Sequence, residues 1–297
     1  MSGALSPIGM GPIAAAIVQH DGEAEVVAVF ERCFYVRCPG GIVCVGIETL
    51  GDGPLNVLLS APNAAIPGWA SQGITREAKG RVAEGRLYIG DRFALDVLTA
   101  PIWQPPAWPT TTGAEIAHSL VTLRALAAPL CPAEGLSRLV LGSAERADRT
   151  ARAAAPTVQQ LAAALAQSVA DDRPSAELTR SAVLLLGLGP GLTPSGDDLL
   201  GGMFLALSAL GRTGLRDKLW TAIEPELDLL TVDISAAHLS AAADGLGAGI
   251  VHATLAAILT ADVATFHGHL ANLGGLGHSS GFDTLAGIVL TLDTVGA

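Results

Sequence analysis

The order of apolar and polar positions changes character once along the chain. Over the first hundred residues, short runs rich in β-branched and aromatic residues recur between turn signals such as PGG, GDGP and EGR. Runs of that length and composition predict strands over Glu25–Phe30, Cys33–Cys38, Ile42–Ile47, Asn56–Ser60, Arg86–Ile89 and Phe93–Leu98. After Thr112 the apolar positions fall at three- and four-residue spacing. That period predicts helices over Glu115–Leu130, Thr157–Ala170, Ala176–Leu186, Asp197–Leu210, Leu215–Leu230, Ile234–Ala243, Ala248–Leu259, Val263–Leu273 and Asp283–Leu292.

Between the two textures lies PIWQPPAWP, Pro101–Pro109, with four prolines in nine residues. Proline lacks the donor that a sheet or helix interior needs, so neither element continues through it. The expected fold is α+β. A β-rich domain over 1–100, a small barrel or sandwich, precedes a proline-rich linker over 101–112 and a mainly helical domain over 113–297.

Within the helical half a segment repeats. TPSGDDLLGGMFLAL, Thr193–Leu207, aligns with HSSGFDTLAGIVLTL, His278–Leu292, at an offset of 85 residues. Both read S-G-x-D-x-L-x-G into an apolar run, and Gly-Leu-Gly precedes each, at Gly187–Gly189 and Gly275–Gly277. Gly201, Gly202 and Gly287 sit inside these apolar helices, where each costs about 1 kcal/mol against alanine. Close packing of the two motif helices would offset that cost and bring both helix starts to one place.

A glycine-rich turn opening a helix presents unpaired N–H groups and the positive end of the helix dipole. Thr193 or Ser195 can cap the first helix, and Pro194 suits its first turn. The candidate substrate-binding positions are therefore Gly189, Gly191, Thr193, Ser195, Gly196 and Asp197 in the first motif and Ser279, Ser280 and Gly281 in the second. Asp198 and Asp283 occupy equivalent places in the repeat. With His278 they are the candidate catalytic residues, able to orient an amide or ammonium group or act as base. They are also the only candidate metal ligands, for Mg²⁺ if any, and no other cofactor is called for. The bland alternative for Asp197, Asp198 and Asp283 is that of acids favoured in any helix's first turn. For His278 it is a merely hydrogen-bonded histidine. Thr231 and Ser235, in TVDISAAHLSAAADG, could reach the site from a neighbouring helix or serve as caps. His20, His118, His238, His252, His267 and His269 form no cluster and read as structural.

Charge narrows the partners. The chain of 297 residues carries a net charge of -11, and no lysine or arginine follows Lys218. A nucleic-acid binder needs a basic face, which this chain lacks. The longest mostly apolar segment without a charge in the second half is Leu199–Leu210, broken by Gly201, Gly202 and Ser208 and short of the roughly 20 residues that span a membrane. The start, MSGALSPIGMGP, has no basic residue before its apolar stretch, against a secretory signal. Cys33, Cys38, Cys44 and Cys131 form no C-x-x-C pair. They read as buried reduced thiols in a cytoplasmic protein. No lysine follows the glycines, so the motif is not a phosphate loop of the Walker type, and no G-x-S-x-G supports serine hydrolysis.

The motifs GLGPGLTPSGDDLLGG, TVDISAAHLSAAADG and GLGHSSGFDTLAG, in that order, resemble one bacterial family over about residues 183–292. It is a former domain of unknown function that includes the AllH (YlbF-type) subunit of oxamate carbamoyltransferase. The resemblance implies transfer of a carbamoyl group between oxalurate or oxamate and carbamoyl phosphate, in the purine nitrogen catabolism of allantoin. It also implies two partner subunits, an acyl-CoA-synthetase-like FdrA protein and a second former unknown. It carries no catalytic residues onto this sequence. The alternatives are a Mg²⁺-dependent small-molecule kinase or amide hydrolase, or a non-catalytic ligand-binding or scaffold subunit.

Overall fold

The computed structural model describes residues 7–60, 68–98 and 100–296. The first six residues of the N-terminus, read above for a leader, lie outside the described residues. Two compact units divide at Pro105/Pro106, inside the proline-rich segment.

The first unit is an eight-stranded, nearly closed barrel. Its strands are β1 (Pro7–Met10), β2 (Gly22–Val29), β3 (Cys33–Cys38), β4 (Gly41–Ile47), β5 (Asn56–Leu59), β6 (Lys79–Ala83), β7 (Arg86–Ile89) and β8 (Phe93–Asp96). They pair in the order β1-β5-β4-β3-β2-β6-β7-β8. Among the described residues only the β4–β5 strand pair is parallel. Alternation decides the core. Val26, Phe34, Val36, Val43, Val45, Val57, Leu87, Ile89 and Leu95 are buried together. Glu84 and Gly85 both take positive φ between β6 and β7, the two-residue turn whose twist matches a hairpin. A short helix α1 (Pro12–Ile17) adds Ala14, Ala15 and Ile17 to this core. The sequence pattern missed β1, α1 and β6. Pro7-Ile8-Gly9-Met10 carries two residues that strands avoid, and Lys79-Gly80-Arg81 has no apolar side chain to mark a buried face.

The second unit is helical: α2 (Gly113–Ala127), α3 (Ser137–Val140), α4 (Arg149–Val169), α5 (Ala176–Leu185), α6 (Ser195–Ala209), α7 (Thr213–Ile223), α8 (Leu227–Leu230), α9 (Asp233–Ala243), α10 (Gly249–Leu259), α11 (Phe266–Leu273) and α12 (Ser280–Val295). The helix expected over Leu215–Leu230 is broken. Pro225 lacks the N–H that an unbroken helix requires, and Glu224–Glu226 tightens into a 3₁₀ turn between α7 and α8. The helix expected from Thr157 begins earlier, at Arg149. Asp148 caps it by accepting from the Ala151 N–H at 2.7 Å, and Pro156 lies inside it. Among the described residues no helix is long and apolar enough to cross a membrane.

Helices α6 and α12 form the centre of this unit. Every residue from Leu199 to Leu207 is buried, as is every residue from Leu285 to Leu292. Helices apolar on all sides belong inside a bundle, where each large side chain contributes about 2 kcal/mol by leaving water. Their crossing is set by glycine. A β-carbon at Gly202 would lie 2.0 Å from the Thr284 carbonyl oxygen, and one at Gly287 would lie 1.9 Å from that of Leu199. The offset of 85 carries Gly202 onto Gly287 and Leu199 onto Thr284. The two contacts are therefore the same contact seen from either helix, and the repeat packs about a pseudo-two-fold axis.

Candidate functional site

The pseudo-symmetry extends into the loops that lead to the two helices. Each follows a helix that ends in leucine, α5 at Leu185 and α11 at Leu273. The Leu188 N–H donates to the Leu185 carbonyl at 3.0 Å and the Leu276 N–H to that of Leu273 at 3.0 Å. The Gly196 N–H donates to Leu188 at 2.9 Å, as the Gly281 N–H does to Leu276 at 3.2 Å. The first loop is three residues longer, Gly187–Gly196 against Gly275–Gly281. Gly189 at φ +121° and Gly277 at φ +64° hold matching turns that other residues would strain to adopt.

These loops bring the two helix starts together. The Thr193 and Ser280 hydroxyls are hydrogen-bonded at 2.8 Å, and those of Ser195 and Ser279 meet at 3.4 Å. This corrects the expected cap. Pro194 occupies the cap position of α6 and no side chain caps it, because the candidate hydroxyls reach across to the other motif instead.

Behind the hydroxyls lie the two repeated aspartates. Asp283 is fully buried, and its Oδ1 accepts from the N–H groups of Leu136 at 2.7 Å and Ser137 at 2.8 Å, at the start of α3. Gly135, at φ +87°, presses its backbone on the same carboxyl: a β-carbon there would come within 2.5 Å of Oδ2. The Oδ2 atoms of Asp283 and Asp198 are both buried without a hydrogen-bond partner. Loss of hydration pushes the Asp283 carboxyl up to about 6, although the Ser195 and Ser279 hydroxyls and the two N–H groups pull the other way. Burial also holds Asp198 well above the ordinary carboxylate range. The Ser280 hydroxyl opposes this, and the charges of Asp283 and Asp197 add to it.

Asp197 points elsewhere. Buried, it accepts from the Gly187 N–H at 2.8 Å and the Ser235 hydroxyl at 2.6 Å, and also from the Thr231 hydroxyl. Thr231 and Ser235 thus reach the motif from the start of α9, tying the first glycine loop to that helix. His278 is exposed and paired with Glu134. Gly191 lies on the exposed outer part of the first loop. The Arg138 guanidinium, the nearest arginine in sequence to the Asp283-bound turn, donates to the Pro132 carbonyl at 2.7 Å and the Cys131 carbonyl at 2.6 Å. The segment from Cys131 to Ser137 is a part of the site that sequence reasoning missed. Its only signal was Gly135 beside a helix start, with nothing to link it to a residue 148 positions later.

Chemically the site offers two carboxylate oxygens without partners, one carboxyl poised to gain or lose a proton near neutrality, and four hydroxyls. Among the described residues no three histidine, cysteine or acidic side chains cluster as metal ligands. No solved structure matches the chain. Residues 185–292, from the last residue of α5 to near the end of α12, match the model of the family described as oxamate carbamoyltransferase subunit AllH, so the resemblance carried by the three motifs holds over that segment.

Proposed function

We propose that the chain is a subunit of a carbamoyltransferase that moves a carbamoyl group between carbamoyl phosphate and oxamate, giving oxalurate and phosphate, in the nitrogen catabolism of allantoin. The observation that carries this reading is the pair of buried, repeat-related carboxyls with unpartnered Oδ2 atoms at the crossing of α6 and α12. In the transfer, the oxamate nitrogen attacks the carbamoyl carbon. A C–N bond forms, the C–O bond to phosphate breaks, and the nitrogen gives up a proton. A carboxylate whose proton affinity lies near neutrality is matched to take that proton. Asp283 or Asp198 fills this role, and the other orients the N–H group. The proton returns by the same path when oxalurate is cleaved by phosphate.

The leaving phosphate needs positive charge, usually from arginine, lysine or a metal. This chain places no basic residue after Lys218, and Arg138 is committed to carbonyl groups. A partner subunit, of the FdrA-like kind or the second former unknown, supplies it. The test is formation of carbamoyl phosphate from oxalurate and phosphate. The metal-stripped chain alone is expected to be inactive and the assembled subunits active. Asp198→Asn and Asp283→Asn in the assembly should each lose about 100-fold or more. Normal turnover in both variants would reduce the two aspartates to helix-start acids.

A further inference from the structure

We infer that the Asp198–Asp283 site grips the –C(=O)–NH₂ end of its substrate, as a neutral donor of N–H bonds, and does not hold phosphate or a metal ion. This rests on the carbamoyltransferase reading and assigns the half of the reaction that this chain binds.

The first argument is an account of donors and acceptors. A helix start attracts an anion through free N–H groups, but five of those around the carboxyls are spent internally. The N–H groups of Leu136 and Ser137 serve Asp283, that of Gly187 serves Asp197, and those of Gly196 and Gly281 close their own turns. The four hydroxyls meet in two cross-motif pairs, which use two of their four O–H donors, and those of Ser195, Ser279 and Ser280 also bear on the two carboxyls. What remains open is acceptor capacity: Oδ2 of Asp198 and Oδ2 of the fully buried Asp283. A buried acceptor left without a donor costs free energy, which a ligand that brings N–H groups recovers.

Charge makes the second argument. Two helix starts contribute about half a unit of positive charge each. Burial raises the proton affinity of both carboxyls, and the charge of Asp283 adds to this at Asp198, so the pair resists carrying two full negative charges. The site therefore lacks the clear positive charge that a phosphate dianion calls for, and among the described residues no third acidic, histidine or cysteine side chain joins the pair to hold Mg²⁺. An amide NH₂ group offers two hydrogens, and the repeat offers an unpartnered Oδ2 on each of its two aspartates to receive them.

Oxamate and oxalate decide the matter, because they differ only in an NH₂ group replaced by a carboxylate oxygen. The metal-free chain is titrated with each, and with oxalurate, inorganic phosphate and Mg²⁺, by thermal shift and calorimetry. Oxamate or oxalurate is expected to raise Tm, while oxalate, phosphate and Mg²⁺ do not. Asp198→Asn and Asp283→Asn should each weaken oxamate at least tenfold while folding normally by circular dichroism. Equal shifts from oxamate and oxalate, a shift from phosphate or Mg²⁺ alone, or no shift from either amide at millimolar concentration would overturn the inference. Carbamoyl transfer by the assembled subunits is measured in parallel. Turnover without amide binding to this chain rejects the inference alone. Discrimination of oxamate from oxalate without turnover rejects the reaction instead.

Discussion

The two motifs share a backbone and differ in what locks it. In the first, Asp197 gathers the Gly187 N–H and the Thr231 and Ser235 hydroxyls under the loop. The equivalent position in the second is Phe282, buried among apolar neighbours. Thr193 bonds across the axis to Ser280, whereas its counterpart His278 turns outward to Glu134. Asp198 and Asp283, in contrast, keep both place and character. The repeat keeps its helix crossing and its carboxyl, while the supports behind them differ. That pattern is why the proposed chemistry is placed on Asp198 and Asp283, with Asp197 and Phe282 as their supports.

The hardest blow to the comparison falls on its axis. Gly202→Ala and Gly287→Ala each push a β-carbon against backbone, which cannot swing aside as a side chain can. Each should cost about 3 kcal/mol or more. Because they strain one crossing from its two sides, the double variant should cost less than the sum. Denaturant unfolding measures all three, and additive losses would show that the contacts are independent.

Asp197 sharpens the contrast next. Asp197→Ala strands one N–H and two hydroxyls, and should cost about 2–3 kcal/mol. Asp197→Asn keeps one accepting oxygen and should cost less. If Asp197 is scaffolding, oxamate affinity in the folded Asn variant stays within about threefold of the parent, in contrast to Asp198→Asn. A loss as large as that of Asp198→Asn would return Asp197 to the substrate-binding set, where the first reading of the sequence put it.

Much of this was legible because it is periodic. Strand and helix periods separated the barrel from the bundle, and the S-G-x-D-x-L-x-G repeat together with its helix glycines foretold the crossing. What stayed hidden depends on direction and distance. Asp197 and Asp198 are adjacent in sequence but about 100° apart around a helix, so one faces α9 and the other faces Asp283. Hydroxyl caps were read from local preference, and a tertiary partner outcompeted the local N–H. The Gly135 segment contacts Asp283 through backbone groups, which leave no mark on side-chain pattern.

A smaller effect tests whether the shared aspartates carry strain for function. Asp283 holds its proton up to about 6 in the folded chain, against an ordinary value of about 4. Between those values the folded state binds more protons than the unfolded one, so this group's contribution to stability falls as pH rises from about 4 to about 6. Asp283→Asn removes that titration while keeping an oxygen for the Leu136 and Ser137 N–H groups. Relative to the parent it should gain on the order of 2 kcal/mol as pH rises from 4 to 7, even as it loses ligand binding. Parallel Tm curves for parent and variant across that range would contradict it.

The weakest expected effect concerns His278, where the two motifs differ most visibly. Its pair with Glu134 is exposed on both sides, with 79% and 60% of the side chains open to solvent. Exposed ion pairs contribute well under 1 kcal/mol, and salt screens them. Glu134 adjoins Gly135 over the Asp283 carboxyl, and His278 adjoins Ser279. The pair therefore clasps two segments that cover the site without touching its open oxygens. His278→Ala and Glu134→Ala should each change Tm little, and the double variant no more than either single one, since each already removes the whole interaction. Turnover of the assembled enzyme should stay within about threefold, since general acid–base groups are worth roughly 100-fold or more and this histidine is not placed as one. Exchange of the Leu136 and Ser137 amides should quicken in both variants, because the clasp holds the segment that carries them. A 100-fold loss confined to His278→Ala, with Glu134→Ala unaffected, would break the comparison at this point and make the outward-turned histidine the proton carrier that its place in the second motif first suggested.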